Sequence, residues 1–252
     1  MTSAIITFWN GNKSSIRRQY ERALIELCLK HAGMSDVSVV VDDTNYPSAE
    51  DEGNIFATGC DVLVTVDGNQ KFAGKPLIKI NKPLCKDLLS HRLLIIKQDR
   101  QHIFTTAMTN TDLRQLKAGI PATWADAEIM RSNHCRVFEY GELNDIFLAL
   151  EDGQCDYVPL GANEIEAIYA DFDCAANGLF IEPNHVIHYP LPLVFYVNAK
   201  RGELARRIET GLSDAMKSGA FDALFNAHFP AVFQRLDVAK RNLHRFSNPN
   251  LV

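Results

Sequence analysis

The chain has 252 residues, of which 46% are hydrophobic and 23% charged, as expected for one large globular domain or two lobes. The formal net charge of −5 excludes a general nucleic-acid-binding protein, because phosphate binding needs a basic surface. The sequence contains no apolar run of about 18 residues, so it predicts no membrane-spanning helix.

The first residues bear on localisation. Residues 1–4 lead directly into a strand-like segment, so the sequence as given predicts no signal peptide. Two alternatives stay open. The protein is periplasmic if this is a mature form with a new start methionine, and cytoplasmic if Met1 is the native start.

In the first part of the chain, strand and helix patterns alternate. The predicted elements are a strand over 4–9, a helix over 16–31, a strand over 37–41, a helix over 49–58 and a strand after Asp61. Ser14 or Ser15 is expected to cap the first helix and Gly33 to end it. Residues 68–83 carry four lysines and are predicted to form an irregular loop.

The alternation continues to the C-terminus. The predicted elements are a strand over 93–97, helices over 110–116 and 124–132, a strand over 137–139, a helix over 143–151, a strand after Asp156, a helix over 163–169, a strand over 186–198 returning to the first lobe, and helices over 202–217 and 221–229. Thr123 and Asp126 have the spacing of a capping box, and Asn133 is the expected left-handed stop. This order predicts the α/β class with largely parallel sheets.

One short phrase occurs twice. Gly59-Cys60-Asp61-Val62 and Gly153-Gln154-Cys155-Asp156-Tyr157 each place a Cys-Asp pair before an apolar run. The repetition predicts two similar lobes, each with a turn at the carboxyl end of a strand. Both aspartates are expected to form turn or capping hydrogen bonds rather than to act in catalysis, and both thiols are expected to pack in the core.

The six cysteines are predicted to be buried free thiols. An even number permits disulfides, but no two are close in sequence and no CxxC motif suggests zinc. His185 and His188 would point to opposite faces of a strand, so no metal site is predicted. No cofactor is predicted either.

The order of these elements resembles the family 3 solute-binding proteins of bacterial ABC importers, the amino-acid-type components, especially over residues 112–225. The ordered features are Asp112-Leu113, Thr123-Trp124, the phrase from Leu150 to Asp156, and the segment from Ala199 to Phe221. A narrower likeness to an uncharacterised proteobacterial branch is carried by Trp124-Ala125-Asp126, Asp156-Tyr157-Val158-Pro159, Asn163-Glu164-Ile165, Tyr189-Pro190-Leu191-Pro192 and Asn248-Pro249. Pro159-Leu160 stands where that branch usually has Pro-Arg.

The resemblance implies a type II periplasmic binding fold: two α/β lobes, a ligand cleft and two hinge crossovers. The expected lobes are residues 1–97 with 187–252, and residues 98–186. In that family an arginine clamps the ligand carboxylate and an aspartate holds its ammonium group, and these positions fall near Ala73 and Gly161. Lys71 and Glu164 are the nearest charged residues, so a standard amino acid bound in the usual way is not expected.

Because ligands in open α/β sheets sit beyond the carboxyl ends of strands, the strand-end turns supply the candidate ligand-binding residues. They are Trp9, Asn10, Asp67, Asn69, Lys71, Thr123, Trp124, Asp126, Gly161, Asn163 and Glu164. The two tryptophans suit a ring-bearing or cationic ligand; the alternative is that Trp9 covers a core edge and Trp124 packs at its helix start.

The predicted function is capture of a small molecule between two lobes by hinge closure, for ABC-type uptake or for sensing. The expected partners are the ligand and an ABC permease, with no nucleic acid, and the expected state is a monomer. The alternative is a dehydratase-like enzyme acting on a cyclic acid, for which Glu164, Asp67 or Asp126 could supply the acid. An enzyme is not expected, because none of the arginines is placed in the sequence where it would anchor a substrate carboxylate.

Overall fold

The computed structural model describes residues 5–251, so the predicted start of the first strand at Ala4 and the signal-peptide expectation lie outside the described residues. The strands are β1 (Ile5–Trp9), β2 (Ser38–Asp42), β3 (Val62–Val66), β4 (Leu77–Ile80), β5 (His91–Lys97), β6 (Lys117–Ile120), β7 (Arg136–Glu139), β8 (Val158–Gly161), β9 (Leu179–Ile181), β10 (His185–His188), β11 (Leu193–Asn198) and β12 (Asn242–Arg245). The helices are α1 (Ser15–His31), α2 (Ala49–Gly53), α3 (Asn110–Gln115), α4 (Ala125–Ser132), α5 (Leu143–Glu151), α6 (Ile165–Asp171), α7 (Gly202–Lys217), α8 (Ala220–His228) and α9 (Val232–Arg235). Within 5–251, no helix combines the length and the apolar character that crossing a bilayer requires.

The chain forms two compact units. The first comprises Met1–Cys85 and Leu193–Pro230, and the second comprises Lys86–Pro192 and Ala231–Val252. These bounds differ from the predicted lobes, which assigned β5, residues 187–188 of β10 and the C-terminal tail to the first lobe. All three lie in the second unit because β5 pairs with β8 and β9, and β12 of the tail pairs with β10.

The first unit is built on a five-stranded sheet with the order β2-β1-β3-β11-β4. Its helix α1 buries one face, on which Tyr20, Leu24 and Cys28 recur at helical spacing. Helix α7 packs against α1, and Gly211 lets the two backbones approach closely: a Cβ there would lie 1.9 Å from the Cys28 carbonyl oxygen. Larger side chains are therefore excluded from this crossing.

The second unit contains the sheet β12-β10-β5-β8, with β9 also paired to β5, and the separate parallel pair β6-β7. The prediction of largely parallel sheets is wrong in part. Strand β5 is antiparallel to β8, β9 and β10, and β11 in the first unit is antiparallel to β3 and β4. Strands β5 and β11 each come shortly after the point where the chain leaves one unit and enters the other. The helical crossover that imposes parallel pairing therefore does not precede them.

The repeated Cys-Asp phrase has the same structural role in both units. The Asp61 carboxylate accepts the Thr7 backbone N–H at 3.0 Å, and its own N–H donates to the Thr7 carbonyl. Asp156 makes the same two bonds to Lys117, with its carboxylate at 2.7 Å from the backbone nitrogen. Each aspartate thus joins the start of its strand to a neighbouring strand, whereas turn or capping hydrogen bonds were predicted.

The six cysteines are all free and buried. Burial raises the pKa of Cys28, Cys60 and Cys155 to about 12, so these thiols carry little thiolate near neutral pH. The prediction of packed thiols is confirmed for these positions.

Several local predictions differ from the structure. The predicted loop 68–83 contains the edge strand β4, the predicted helix 49–58 ends at Gly53, and the predicted strand 186–198 is two strands separated by Pro190 and Pro192. The left-handed residue after α4 is His134 rather than Asn133. The unassigned tail contains β12.

The tail is fixed to the second unit by a buried histidine pair. His185 Nδ1 lies 2.9 Å from His244 Nε2, and His185 Nε2 lies 2.9 Å from the Thr105 carbonyl oxygen. His244 Nδ1 in turn lies 2.6 Å from the side chain of Asn110. Burial lowers the pKa of His244 to about 4, so the His244 ring is neutral at neutral pH.

Candidate functional site

In the first unit, the candidates at the end of β1 are enclosed by the unit itself. Trp9 is 1% exposed, lies in a core cluster with Leu63 and Phe72, and donates from Nε1 to the Thr44 carbonyl oxygen at 2.9 Å. The buried Asn10 side chain donates to the Arg18 carbonyl oxygen at 3.0 Å. The position of Trp9 matches the alternative in which it covers the core.

The candidates after β3 are paired with neighbours in the same unit. Lys79 Nζ lies 2.8 Å from the Asp67 carboxylate, and Asn69 accepts the Lys71 backbone N–H at 3.1 Å. Lys71 Nζ lies 2.8 Å from Glu52 Oε2, and both side chains are largely buried. The charge of Lys71, the cation nearest to the family's arginine position, is therefore already offset by the Glu52 carboxylate.

In the second unit, four predicted residues come together around an arginine. Strand register places Arg92 of β5 opposite Gly161 of β8. Arg92 Nη2 lies 2.6 Å from Asp126 Oδ1, and Nη1 lies 3.8 Å from Glu164 Oε1. Asn163 precedes Glu164 in the sequence, and its Oδ1 lies next to Gly161, as Arg92 Nη1 does. Elements distant along the chain thus meet in one buried polar cluster.

Tyr189 completes this polar cluster, which we define as Arg92, Asp126, Asn163, Glu164 and Tyr189. Arg92 Nε donates to the Tyr189 hydroxyl at 3.1 Å, and that hydroxyl donates to Asp126 Oδ1 through a short hydrogen bond. Each of the five residues is at most 4% exposed to solvent. The aspartate therefore accepts from two donors at once, which fixes its position.

The electrostatics of the polar cluster keep the guanidinium charged. Burial alone would lower the pKa of Arg92, but the adjacent Asp126, Tyr189 and Glu164 raise it above its ordinary value. Burial raises the pKa of Tyr189 well above its ordinary value, so its hydroxyl stays protonated and remains a donor. One guanidinium and two carboxylates give the cluster a formal net charge of −1.

Three polar groups of the cluster point to a place for a ligand. Arg92 Nη1 and both amide atoms of Asn163 are buried and have no hydrogen-bond partner among the described residues. A Cβ on Gly161 would lie 2.5 Å from Asn163 Oδ1 and 3.0 Å from Arg92 Nη1, so the glycine leaves these groups uncovered. Because buried polar groups are ordinarily satisfied, such a group of exceptions indicates a binding position.

The start of α4 differs from the predicted capping box. The N-cap residue is Trp124, which makes no side-chain cap, and Thr123 has a φ of 69°. The Thr123 N–H donates to Glu139 Oε1 at 3.0 Å. The prediction is wrong because Asp126 bonds to Arg92 and Tyr189, not to the backbone of its own helix. Trp124 is half-buried at this helix start.

Arg92 and Tyr189 were missed in the sequence. The available signal for Arg92 is a cation at the start of a strand whose next four residues are apolar, Leu93-Leu94-Ile95-Ile96. A charge in such a strand is buried with a partner or faces outward, and the sequence does not tell which. Tyr189 lies in the Tyr-Pro-Leu-Pro segment that carries the family resemblance.

No protein-family model and no curated protein sequence matches the chain. Solved structures do. An ancestral arginine-binding protein bound to arginine is 16% identical over 91% of this chain and 100% of its own, with a TM-score of 0.63. The amino-acid ABC transporter substrate-binding protein AbpA from Streptococcus pneumoniae, bound to L-arginine, is 12% identical over 91% and 96%, with a TM-score of 0.63.

A histidine kinase sensor domain with similarity to periplasmic binding proteins is 14% identical over 91% of this chain and 96% of its own, with a TM-score of 0.60. These likenesses confirm the predicted fold, an α/β fold of the type II periplasmic binding protein kind. At such identities they show the fold alone, and the proteobacterial branch stays a prediction.

Proposed function

We propose that the chain is a solute-binding protein that captures a small molecule for ABC-type uptake or for sensing. The observation that carries this proposal is the buried polar cluster of the second unit, in which Asn163 and Arg92 Nη1 have no hydrogen-bond partner among the described residues. The fold supports the proposal, because the similar solved structures are substrate-binding proteins and a sensor domain.

The charges of the cluster indicate the chemistry of the solute. Asp126 lies within salt-bridge distance of Arg92, and Glu164 lies 3.8 Å from it, so the cluster contains two carboxylates and one guanidinium. A carboxylate in that position favours an ammonium or guanidinium group. Asn163 offers a donor and an acceptor to a neighbouring polar group. We therefore propose a small cationic amine with an adjacent polar group.

The mode of binding differs from the usual amino-acid clamp. By the family resemblance the two clamp positions fall near Ala73 and Gly161, neither of which carries a charge, and Lys71 is held by Glu52. A standard amino acid bound in the usual way is therefore not part of the proposal. The solute would act by hinge closure, shifting an open–closed equilibrium through its preference for one state. A monomer in the periplasm, delivering to an ABC permease, is the setting that we propose.

An enzyme is the second candidate, and the cluster does not favour it. A dehydratase-like reaction needs an acid and an open cation that anchors a substrate carboxylate. Arg92 is the buried cation near Glu164, but Asp126 and Tyr189 already hold its Nη2 and Nε atoms, so only Nη1 is left and a bidentate carboxylate anchor is not possible. We propose a binding protein rather than an enzyme for this reason.

A thermal shift screen tests the proposed function. The full chain would be heated with amines, amino acids, organic acids and aromatic compounds, because a solute at about 100 times its Kd stabilises by about 2.7 kcal/mol. We expect cationic amines to raise Tm. Failure of every class would contradict solute capture, and a response to organic acids alone would contradict the proposed ligand charge.

A variant assigns the response to the cluster. Asn163→Leu keeps the side-chain size but removes both amide groups, so the rise in Tm with the solute should disappear while the solute-free Tm stays equal or increases. The control is Asn177→Leu, at an exposed residue of the same unit, which should keep the response. A full response in Asn163→Leu would show that the solute binds elsewhere.

A further inference from the structure

A second group of side chains in the second unit brings metal-binding atoms together. Asp87 Oδ2 lies 3.1 Å from His188 Nε2 and 3.6 Å from His91 Nδ1. One ligand atom from each of the three residues lies within 4.8 Å of the other two. We call Asp87, His91 and His188 the histidine–aspartate triad. None of these residues belongs to the polar cluster described above.

The strand register holds the two histidines of the triad together. His188 is the last residue of β10 and is the direct antiparallel partner of His91, the first residue of β5. Directly opposed residues on neighbouring strands project side by side on one face of the sheet. The imidazole rings accordingly lie 4.7 Å apart, and Phe233 packs against His91 with 4.8 Å between ring centroids. The imidazoles are thus positioned by the sheet rather than by a loop.

Asp87 reaches the histidines from the segment before β5. Lys86 and Asp87 both adopt positive φ, 42° and 65°, an uncommon backbone for residues other than glycine. The carboxylate is half-exposed, whereas the His91 and His188 side chains are 15% and 17% exposed. Solvent can therefore reach the triad on the side of the aspartate.

The spacing suits a transition-metal ion. Ligand atoms at about 2.0–2.1 Å from a tetrahedral Zn²⁺ lie about 3.3 Å from each other. The two separations measured from Asp87 Oδ2, 3.1 and 3.6 Å, are close to this value. Imidazole nitrogen with carboxylate oxygen is a donor set that Zn²⁺ accepts, whereas Mg²⁺ and Ca²⁺ prefer oxygen alone.

We propose that Asp87, His91 and His188 form a binding site for a divalent transition-metal ion of the Zn²⁺ type. Three protein ligands leave a fourth position for water or another small ligand. The sequence predicts no metal site because His185 and His188 are close only along one strand, and they do face different neighbours. The partner of His188 comes from β5, which the sequence alone did not place beside β10.

Two features of the surroundings set the affinity of the site. His91 Nδ1 also lies 3.0 Å from the Asp87 carbonyl oxygen, so a metal bound at that nitrogen replaces a hydrogen bond. Arg245, opposite His188 in the β12 register, adds positive charge nearby.

The experiment titrates the chelator-treated full chain with two metals. Calorimetry measures the binding of Zn²⁺, and visible absorption measures the binding of Co²⁺. We expect one equivalent to bind, with Mg²⁺ and Ca²⁺ unable to compete. His188→Gln, His91→Gln and Asp87→Asn should each weaken binding by about ten-fold or more, since each removes one of three ligands. Asp87→Asn changes an exposed side chain, so it should fold even if a histidine variant does not.

His102→Gln is the matched control. His102 is an exposed histidine of the same unit whose Nδ1 also lies near a backbone carbonyl, 3.1 Å from that of Asp99. It should bind Zn²⁺ like the unchanged chain. Absence of one-equivalent binding, or equal affinity in Asp87→Asn and the unchanged chain, would overturn the proposal and leave a hydrogen-bonded triad. The solute response of the polar cluster is measured separately, so failure of one proposal does not imply failure of the other.

Discussion

Removal of the Asp126 carboxylate should destabilise the second unit strongly. Asp126→Ala leaves the Arg92 guanidinium, only 2% exposed, without the acceptor that lies 2.6 Å away, and it also removes the acceptor of the Tyr189 hydroxyl. Loss of one partner of a buried ion pair costs about 3–5 kcal/mol. Glu164, 3.8 Å from Arg92, offsets part of that loss. We therefore expect a loss of about 3 kcal/mol in the free energy of unfolding.

Urea unfolding measures this loss in the correct unit. The sequence has two tryptophans, Trp9 in the first unit and Trp124 in the second. In a Trp9→Phe background the fluorescence of Trp124 reports on the second unit alone. With m-values of about 1–3 kcal/mol/M, a loss of about 3 kcal/mol lowers the unfolding midpoint by about 1–3 M.

A double variant tests the reasoning. Replacing both members of a buried pair with apolar residues is often neutral, so Arg92→Met with Asp126→Leu should recover most of the stability that Asp126→Ala loses. The double variant should bind no solute. A midpoint shift below about 0.3 M in Asp126→Ala, or a double variant less stable than it, would refute the interpretation that the ion pair is a coupled buried unit.

Three further expectations concern both units. Burial, and then the neighbouring His185, lower the pKa of His244 to about 4, so the unfolded state binds a proton more tightly than the folded state does. The free energy of unfolding should therefore fall by up to about 3 kcal/mol as pH decreases from about 6.5 to 4. Urea titrations at several pH values measure this dependence, and His244→Gln should flatten it. Gly211→Ala, whose new Cβ would lie 1.9 Å from the Cys28 carbonyl oxygen, should cost about 1–3 kcal/mol by Trp9 fluorescence, whereas Gly202→Ala, with its nearest atom 4.0 Å away, should be neutral or stabilising. The six buried thiols should react with a thiol reagent slowly in the native chain and completely after unfolding; fast native labelling would contradict their burial.

Elements with a strong local pattern were predicted well from the sequence. Helix α7 begins and ends where its apolar spacing and the following Gly219 indicate, and the two Cys-Asp phrases do begin equivalent strands. The short edge strands β4 and β12 were missed. Each has four residues and no clear alternation, so its strand conformation depends on pairing with a distant segment rather than on its own propensity.

The sequence by itself determined the α/β class, most of the helices and strands, the burial of the cysteines and the structural role of Asp61 and Asp156. These properties depend on periodicity and turn chemistry within short segments. Only the tertiary structure decided that Arg92 lies between Asp126 and Glu164, and that His91 lies beside His188. Such contacts join residues far apart in the chain, and a local pattern specifies which face of a strand a side chain occupies but not which strand will lie next to it.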